Sequence, residues 1–114
     1  MQLDAGRLRD LQVFTEDERR DIGRGAIRAL VEQLGALEQA LAEGNLQLVA
    51  EVAHRARNET LVVGARELGQ ALQSVEDAAR AGRASLASEA VTTARALWPS
   101  TREAIARLSY GATG

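Results

Sequence analysis

Asn45-Leu46-Gln47-Leu48-Val49-Ala50-Glu51-Val52-Ala53-His54-Arg55-Ala56-Arg57-Asn58-Glu59-Thr60-Leu61-Val62-Val63-Gly64 reads as one amphipathic helix with both ends marked. Leu46, Val49, Val52, Ala53, Ala56, Thr60 and Val63 recur at spacings of three and four. That period places them on one face of an α-helix and leaves the charged residues on the other. Asn45 has the short polar side chain that caps a helix N-terminus, and Gly64 interrupts or ends the pattern.

The same period continues on both sides. Upstream, Thr15-Glu16-Asp17-Glu18 forms a capping box, in which the Thr15 hydroxyl and the Glu18 carboxylate satisfy each other's backbone N–H. The helix it opens is expected from about Glu16 to Ala42, with Ile22, Ala26, Ile27, Leu30, Val31, Leu34, Leu37 and Leu41 as its stripe. Gly23 and Gly25 weaken its early part, where a bend or fraying is expected, and Gly44 is its stop. Leu3 to Val13 reads as a short helix before it. Downstream, a helix from about Ala65 to Ala81 turns Leu68, Ala71, Leu72, Val75 and Ala79 inward and closes at Gly82. A last helix starts near Ser85 and uses Leu86, Ala90, Ala94, Leu97, Ile105 and Leu108. Pro99 is expected to kink or break it, with a fresh capping box in Ser100-Thr101-Arg102-Glu103, and the tail from Ser109 to Gly114 to fray.

Loops as short as those at Gly44 and Gly82 force neighbouring helices to run antiparallel. The expectation is therefore all-α: an antiparallel up-down-up-down four-helix bundle with a short additional N-terminal helix, one domain over residues 1–114. Leu30, Leu34, Val49, Val52, Leu68, Leu72 and Leu97 should share its core.

Composition agrees. Hydrophobic residues make up 46% of the chain but aromatics only 3%, so the core is aliphatic, which suits helix-on-helix packing better than a sandwich. The absence of cysteine excludes disulfides, and a single histidine without cysteine argues against structural zinc. All 14 basic residues are arginine, interspersed with 16 acidic ones for a net charge of −2. Nucleic-acid binding needs a clustered basic face, which is absent. No apolar run reaches the roughly 18 residues of a membrane span, and Met1-Gln2-Leu3-Asp4 lacks a signal pattern, so a cytoplasmic protein is expected. Glu16, Asp17, Glu18 and Asp21 read as helix-start acids, Gly23 and Gly25 lack the strand that a phosphate loop needs, and Trp98 reads as a bundle-end core residue.

His54 is the only histidine. At about 100° per residue it falls near 140° from the Val49 direction, off the core face. Ala50 and Asn58, one turn to either side on the same stripe, are short and leave the imidazole proud of the surface; Leu61 continues the stripe and Arg57 lies three residues on.

The stretch from Val52 to Leu68 resembles the histidine-containing phosphotransfer (HPt) domain family of bacterial two-component phosphorelays. That family's pattern is Ala-His, a basic residue three positions after the His, Gly four after, Gly ten after, and Leu four further on. Ala53, His54, Arg57, Gly64 and Leu68 sit at those positions. The segments Leu37 to Asn45 and Leu72 to Gly82 look like the family's flanking helix ends and turns, so the resemblance covers about residues 3 to 108. Two positions depart from the pattern: Arg57 stands where Lys is usual and Asn58 where Gly is usual. A guanidinium keeps the charge but positions differently from an ammonium. Asn58 fills part of the space beside the histidine.

The resemblance implies a covalent phosphoryl carrier and not an enzyme with turnover of its own. His54 is the implied phospho-acceptor, Arg57 its electrostatic support, and Ala50, Asn58, Leu61 and Gly64 the docking surroundings. The implied partners are a response-regulator receiver domain, which brings the phospho-aspartate and the Mg²⁺, and/or a hybrid sensor histidine kinase. The carrier itself needs no cofactor, no metal, no nucleic acid and no membrane, and a monomer is expected. The departures at Arg57 and Asn58 motivate an alternative, a degenerate HPt-like docking or scaffold domain that is never phosphorylated; a second is an unrelated helical dimerisation module with an incidental histidine.

Overall fold

Helix α1 spans Ala5–Leu11, α2 Glu16–Ala42, α3 Leu46–Val63, α4 Arg66–Arg80 and α5 Ala84–Ala106, followed by a 3₁₀ turn at Arg107–Tyr110, in a computed structural model that describes residues 3–110. No strand occurs among the described residues. The principal extents are 42 × 20 × 20 Å. A helix the length of α2 spans roughly 40 Å, so α2 alone sets the long axis.

The helix starts follow from their caps. The Thr15 hydroxyl accepts from the Glu18 N–H at 3.1 Å while the Glu18 carboxylate accepts from the Thr15 N–H at 2.8 Å. The Asn45 side chain accepts from the Leu48 N–H, and Asp4 does the same for α1 at the Arg7 N–H. Each of these bonds satisfies a donor that the first turn of a helix leaves orphaned.

Helix α2 packs on α3 and α5, α3 on α4, and α4 on α5, which is the arrangement of a bundle. Leu30, Leu34 and Leu37 of α2, Val49, Ala53 and Ala56 of α3, Leu68, Leu72 and Val75 of α4, and Ala87, Ala94 and Ile105 of α5 are all fully buried. Each large aliphatic among them contributes on the order of 1.5–3 kcal/mol by leaving water. The α2 helix runs unbroken through Gly23 and Gly25, and a Cβ at Gly23 would lie 3.1 Å from the Ile105 carbonyl, so the glycine lets the α5 backbone approach.

Three sequence expectations need correction. Val31 and Leu86 are exposed, and Leu97 is only partly buried. Val31 follows Leu30 directly, and so sits at the edge of its stripe; Leu86 directly precedes the fully buried Ala87 and is turned away from the inward direction that Ala87 takes. Pro99 neither breaks nor ends α5, which is continuous to Ala106. Ala94 before the proline and Thr101 and Ile105 after it are buried. That packing holds the helix through a residue that costs about 3 kcal/mol in a helix interior. The Ser100 and Thr101 hydroxyls accordingly cap no new helix; both donate back to the Leu97 carbonyl, at 3.2 and 2.7 Å. Of the tail expected to fray, residues 111–114 lie outside the described part, while Ser109 and Tyr110 belong to the 3₁₀ turn.

Gly64 ends α3 in the left-handed conformation, φ +72°. The Asp4 N–H donates to its carbonyl at 2.8 Å, and a Cβ at Gly64 would meet the Arg7 Cβ at 2.9 Å. Both the backbone angle and the close approach require glycine. Arg7 Nε donates to the Val62 carbonyl and Arg66 pairs with Asp4 at 3.1 Å, so α1 is strapped across the turn between α3 and α4.

Candidate functional site

The surface of α3 that faces away from the core carries His54, Asn58 and Leu61, all exposed. The His54 side chain is 46% exposed, enough for one ring edge to meet a partner. Ala50, one turn before it, is 2% exposed and forms part of the core below the imidazole instead of the surface beside it. Gly64 is likewise buried, under α1. The helix wheel missed both because it counts only the faces of α3 and not the elements that land on them. Of the surroundings expected from sequence, Asn58 and Leu61 remain on the His54 face.

The other edge of the ring meets α4. His54 Nδ1 lies 3.2 Å from Glu76 Oε1, and Arg80 Nε donates to Glu76 Oε2 at 2.9 Å. The Glu76 side chain is only 9% exposed, against 57% for Arg80. A carboxylate buried to that degree persists when its charge is matched and its oxygens are bonded. Burial alone would raise the Glu76 pKa; the hydrogen bonds from Arg80 and His54, and then the charges of both, outweigh it and hold the carboxyl below its ordinary value. Glu76 is therefore ionised at neutral pH.

An ionised carboxylate only accepts hydrogen bonds. The proton of this contact must sit on Nδ1, which fixes the tautomer: in the neutral ring Nε2 carries the free lone pair. The same carboxylate orients the imidazole and opposes positive charge on it, the arrangement by which a third group prepares a histidine for nucleophilic or acid–base work.

Sequence reasoning missed Glu76. It is 22 residues from His54 and directly follows Val75, a core position. The available signal was Glu76 followed at i+4 by Arg80 on a helix whose other buried positions are apolar or glycine, an ion pair with one member drawn inward.

Arg57 is partly buried, and its Nε is shut off from solvent with no hydrogen-bond partner among the described residues. Its backbone carbonyl accepts from the Thr60 hydroxyl at 2.6 Å. The side chain lies in a cavity of about 590 Å³ between α1, α3 and α4, which Leu61 and Gln73 also line. Gln73 is one turn before Glu76 on α4, but neither His54 nor Glu76 lines this cavity.

Among the described residues no group of three or more His, Cys, Asp or Glu side chains is placed to hold a metal ion, and no helix is long and apolar enough to cross a membrane. No family model, curated protein or solved structure matches the chain.

Proposed function

We propose that this chain is a cytoplasmic histidine phosphotransfer protein, which accepts and donates a phosphoryl group between His54 and receiver-domain aspartates. The observation that carries the reading is the His54–Glu76 contact: an exposed imidazole whose Nδ1 is held at 3.2 Å by a buried carboxylate, with Nε2 left as the free nucleophile. The finer fold expected for such a carrier, an up-down-up-down bundle, has support in cross-helix pairs. On α3 and α4, His54 meets Glu76 and Thr60 meets Gly69; on α2 and α5, Gly23 meets Ile105 and Glu38 pairs with Arg95. In each set the residue number rises on one helix as it falls on the other.

The Nε2 lone pair attacks the phosphorus of an aspartyl phosphate on the receiver. The N–P bond forms as the bond from phosphorus to the aspartate oxygen breaks, and the leaving electron pair restores the carboxylate. The ring keeps its Nδ1 proton and gains positive charge, which faces the Glu76 carboxylate. The reverse step passes the phosphoryl group to a second receiver. Phosphoryl transfer is chiefly positioning and charge stabilisation, and the Mg²⁺ comes with the receiver. On the carrier's side, Arg57 adds positive charge one turn from the acceptor.

The test is incubation with phosphorylated receivers. Wild type should take up an acid-labile label, and His54→Gln should fold normally and take up none. Label retained in His54→Gln overturns the assignment. A wild type that binds receivers without accepting label favours the docking-only alternative, for which the exposed Asn58 amide beside His54 is the structural motive.

A further inference from the structure

The cavity between α1, α3 and α4 does not include the His54 ring, although it shares Arg57 with the proposed phosphotransfer site. Its volume of about 590 Å³ lies in the range of small-molecule sites. Four arginines line it, Arg7, Arg9, Arg57 and Arg66, against two carboxylates, Asp4 and Asp10. The carboxylates are already engaged: Asp4 with Arg66 at 3.1 Å, and Asp10 with Arg7 at 3.9 Å. Arg7 is held further by the Val62 carbonyl. Arg9 and Arg57 therefore carry the excess positive charge, and neither side chain has a hydrogen-bond or ion-pair partner among the described residues.

Arg57 is the more telling of the two. Its Nε is buried and unbonded, in a protein where nearly every other buried side-chain donor is satisfied. A buried guanidinium nitrogen without an acceptor is costly; Nε itself is closed off, so an anion entering the cavity pairs with the outer guanidinium nitrogens of Arg57. The rest of the lining is largely apolar or small. Leu61 gives it an apolar wall, and Gly69 lets α4 approach Thr60, whose hydroxyl a Cβ there would meet at 2.7 Å.

The geometry points to a binding site for a small organic anion: a carboxylate or phosphate head bonded by Arg57 and Arg9, and an apolar body against Leu61. Guanidinium forks suit both heads equally, because each offers paired oxygens.

The experiment uses the full chain and three probes of one shape, benzoate, phenyl phosphate and neutral benzamide, followed by amide chemical shifts during titration. Benzoate and phenyl phosphate should bind saturably and in competition. The shifts should centre on Gly64, Ala65, Gly69 and Gln70, and benzamide should produce none of them. Arg57→Gln should weaken binding by about tenfold or more. Arg9→Gln, at an exposed position where folding is not at stake, should weaken it in the same direction. Benzamide binding as well as benzoate, shifts centred on His54, or anion affinity unchanged in both arginine variants would each overturn the proposal. So would the absence of saturable binding by either anion.

Discussion

His54 on α3 and Glu76 on α4 meet at 3.2 Å, the histidine half in solvent and the glutamate almost wholly out of it. The asymmetry assigns the roles. The buried partner is fixed by packing and by Arg80, so it fixes the ring; the exposed partner keeps one nitrogen for an incoming group.

Replacing Glu76 therefore tests the arrangement directly. Glu76→Gln keeps an acceptor for the Nδ1 proton but loses the charge that opposes the developing imidazolium. Phosphoryl uptake at His54 should slow on the order of tenfold to a hundredfold, the usual effect of removing a carboxylate that orients a histidine. Glu76→Ala should be slower still, and ¹⁵N spectra should show the His54 ring redistributing between tautomers. Rates equal to wild type in both variants would remove Glu76 from the mechanism.

The pair also leaves a mark on stability. The Glu76 carboxyl is lowered in the folded state, against the outward push of burial, by the bonds and charges of Arg80 and His54. A group whose folded pKa lies below its unfolded value binds fewer protons folded than unfolded. Its contribution is present above the unfolded pKa, near 4.5, and is lost as pH falls through the folded one. The urea midpoint should therefore decline in acid below about 4.5, and the Glu76→Gln variant should show a shallower decline over that window. Glu18, lowered by the backbone and side-chain bonds of its capping box, adds to the same slope and remains in the variant.

How much of this was readable beforehand follows local chemistry. Thr15, Asn45 and Gly64 mark helix ends through their own side chains or backbone angles: α2 begins where Thr15 places it, and α3 begins and ends where Asn45 and Gly64 place it. Pro99 misled because its cost is local while the burial of Ala94, Thr101 and Ile105 that outweighs it is tertiary. Ala50, Gly64 and Glu76 share one lesson. Each is defined by packing between helices, Gly64 under α1, Glu76 against His54 and Ala50 in the shared core, and a helix wheel contains no neighbour. His54 was legible because exposure follows from its own stripe.

Pro99 supplies a prediction about stability. Its ring removes the N–H that would serve the Arg95 carbonyl, within a helix that stays regular on both sides. Both residues are exposed, so alanine at this position meets no packing constraint. Pro99→Ala should stabilise the fold by about 1–3 kcal/mol, the lower end applying because proline also restricts the unfolded chain. Denaturant unfolding checks it; a loss of stability would mean that the proline relieves strain in α5.

The core assignment has a sharper test at Leu72. It is fully buried on α4, the helix that packs against both α3 and α5. Leu72→Ala should cost about 2–5 kcal/mol. A loss below about 0.5 kcal/mol by thermal or denaturant unfolding is inconsistent with the burial described.

Asn58 decides how partners reach His54. Both side chains are exposed on the same stripe of α3, and Leu61 continues it at 60% exposure. A receiver must bring its aspartate in line with Nε2, so its surface comes close to this stripe, and Asn58 places a branched amide in the way. A misplacement of about 1 Å can cost on the order of a hundredfold in rate. Asn58→Gly should therefore speed transfer from a generic receiver while lowering stability by roughly 0.5–1 kcal/mol, since glycine in a helix interior has more chain entropy to lose. The two readouts separate the causes. Faster transfer in a less stable protein marks a steric barrier removed. Slower transfer with every receiver tested marks Asn58 as a hydrogen-bond donor to the phosphoryl group, and the steric account then fails.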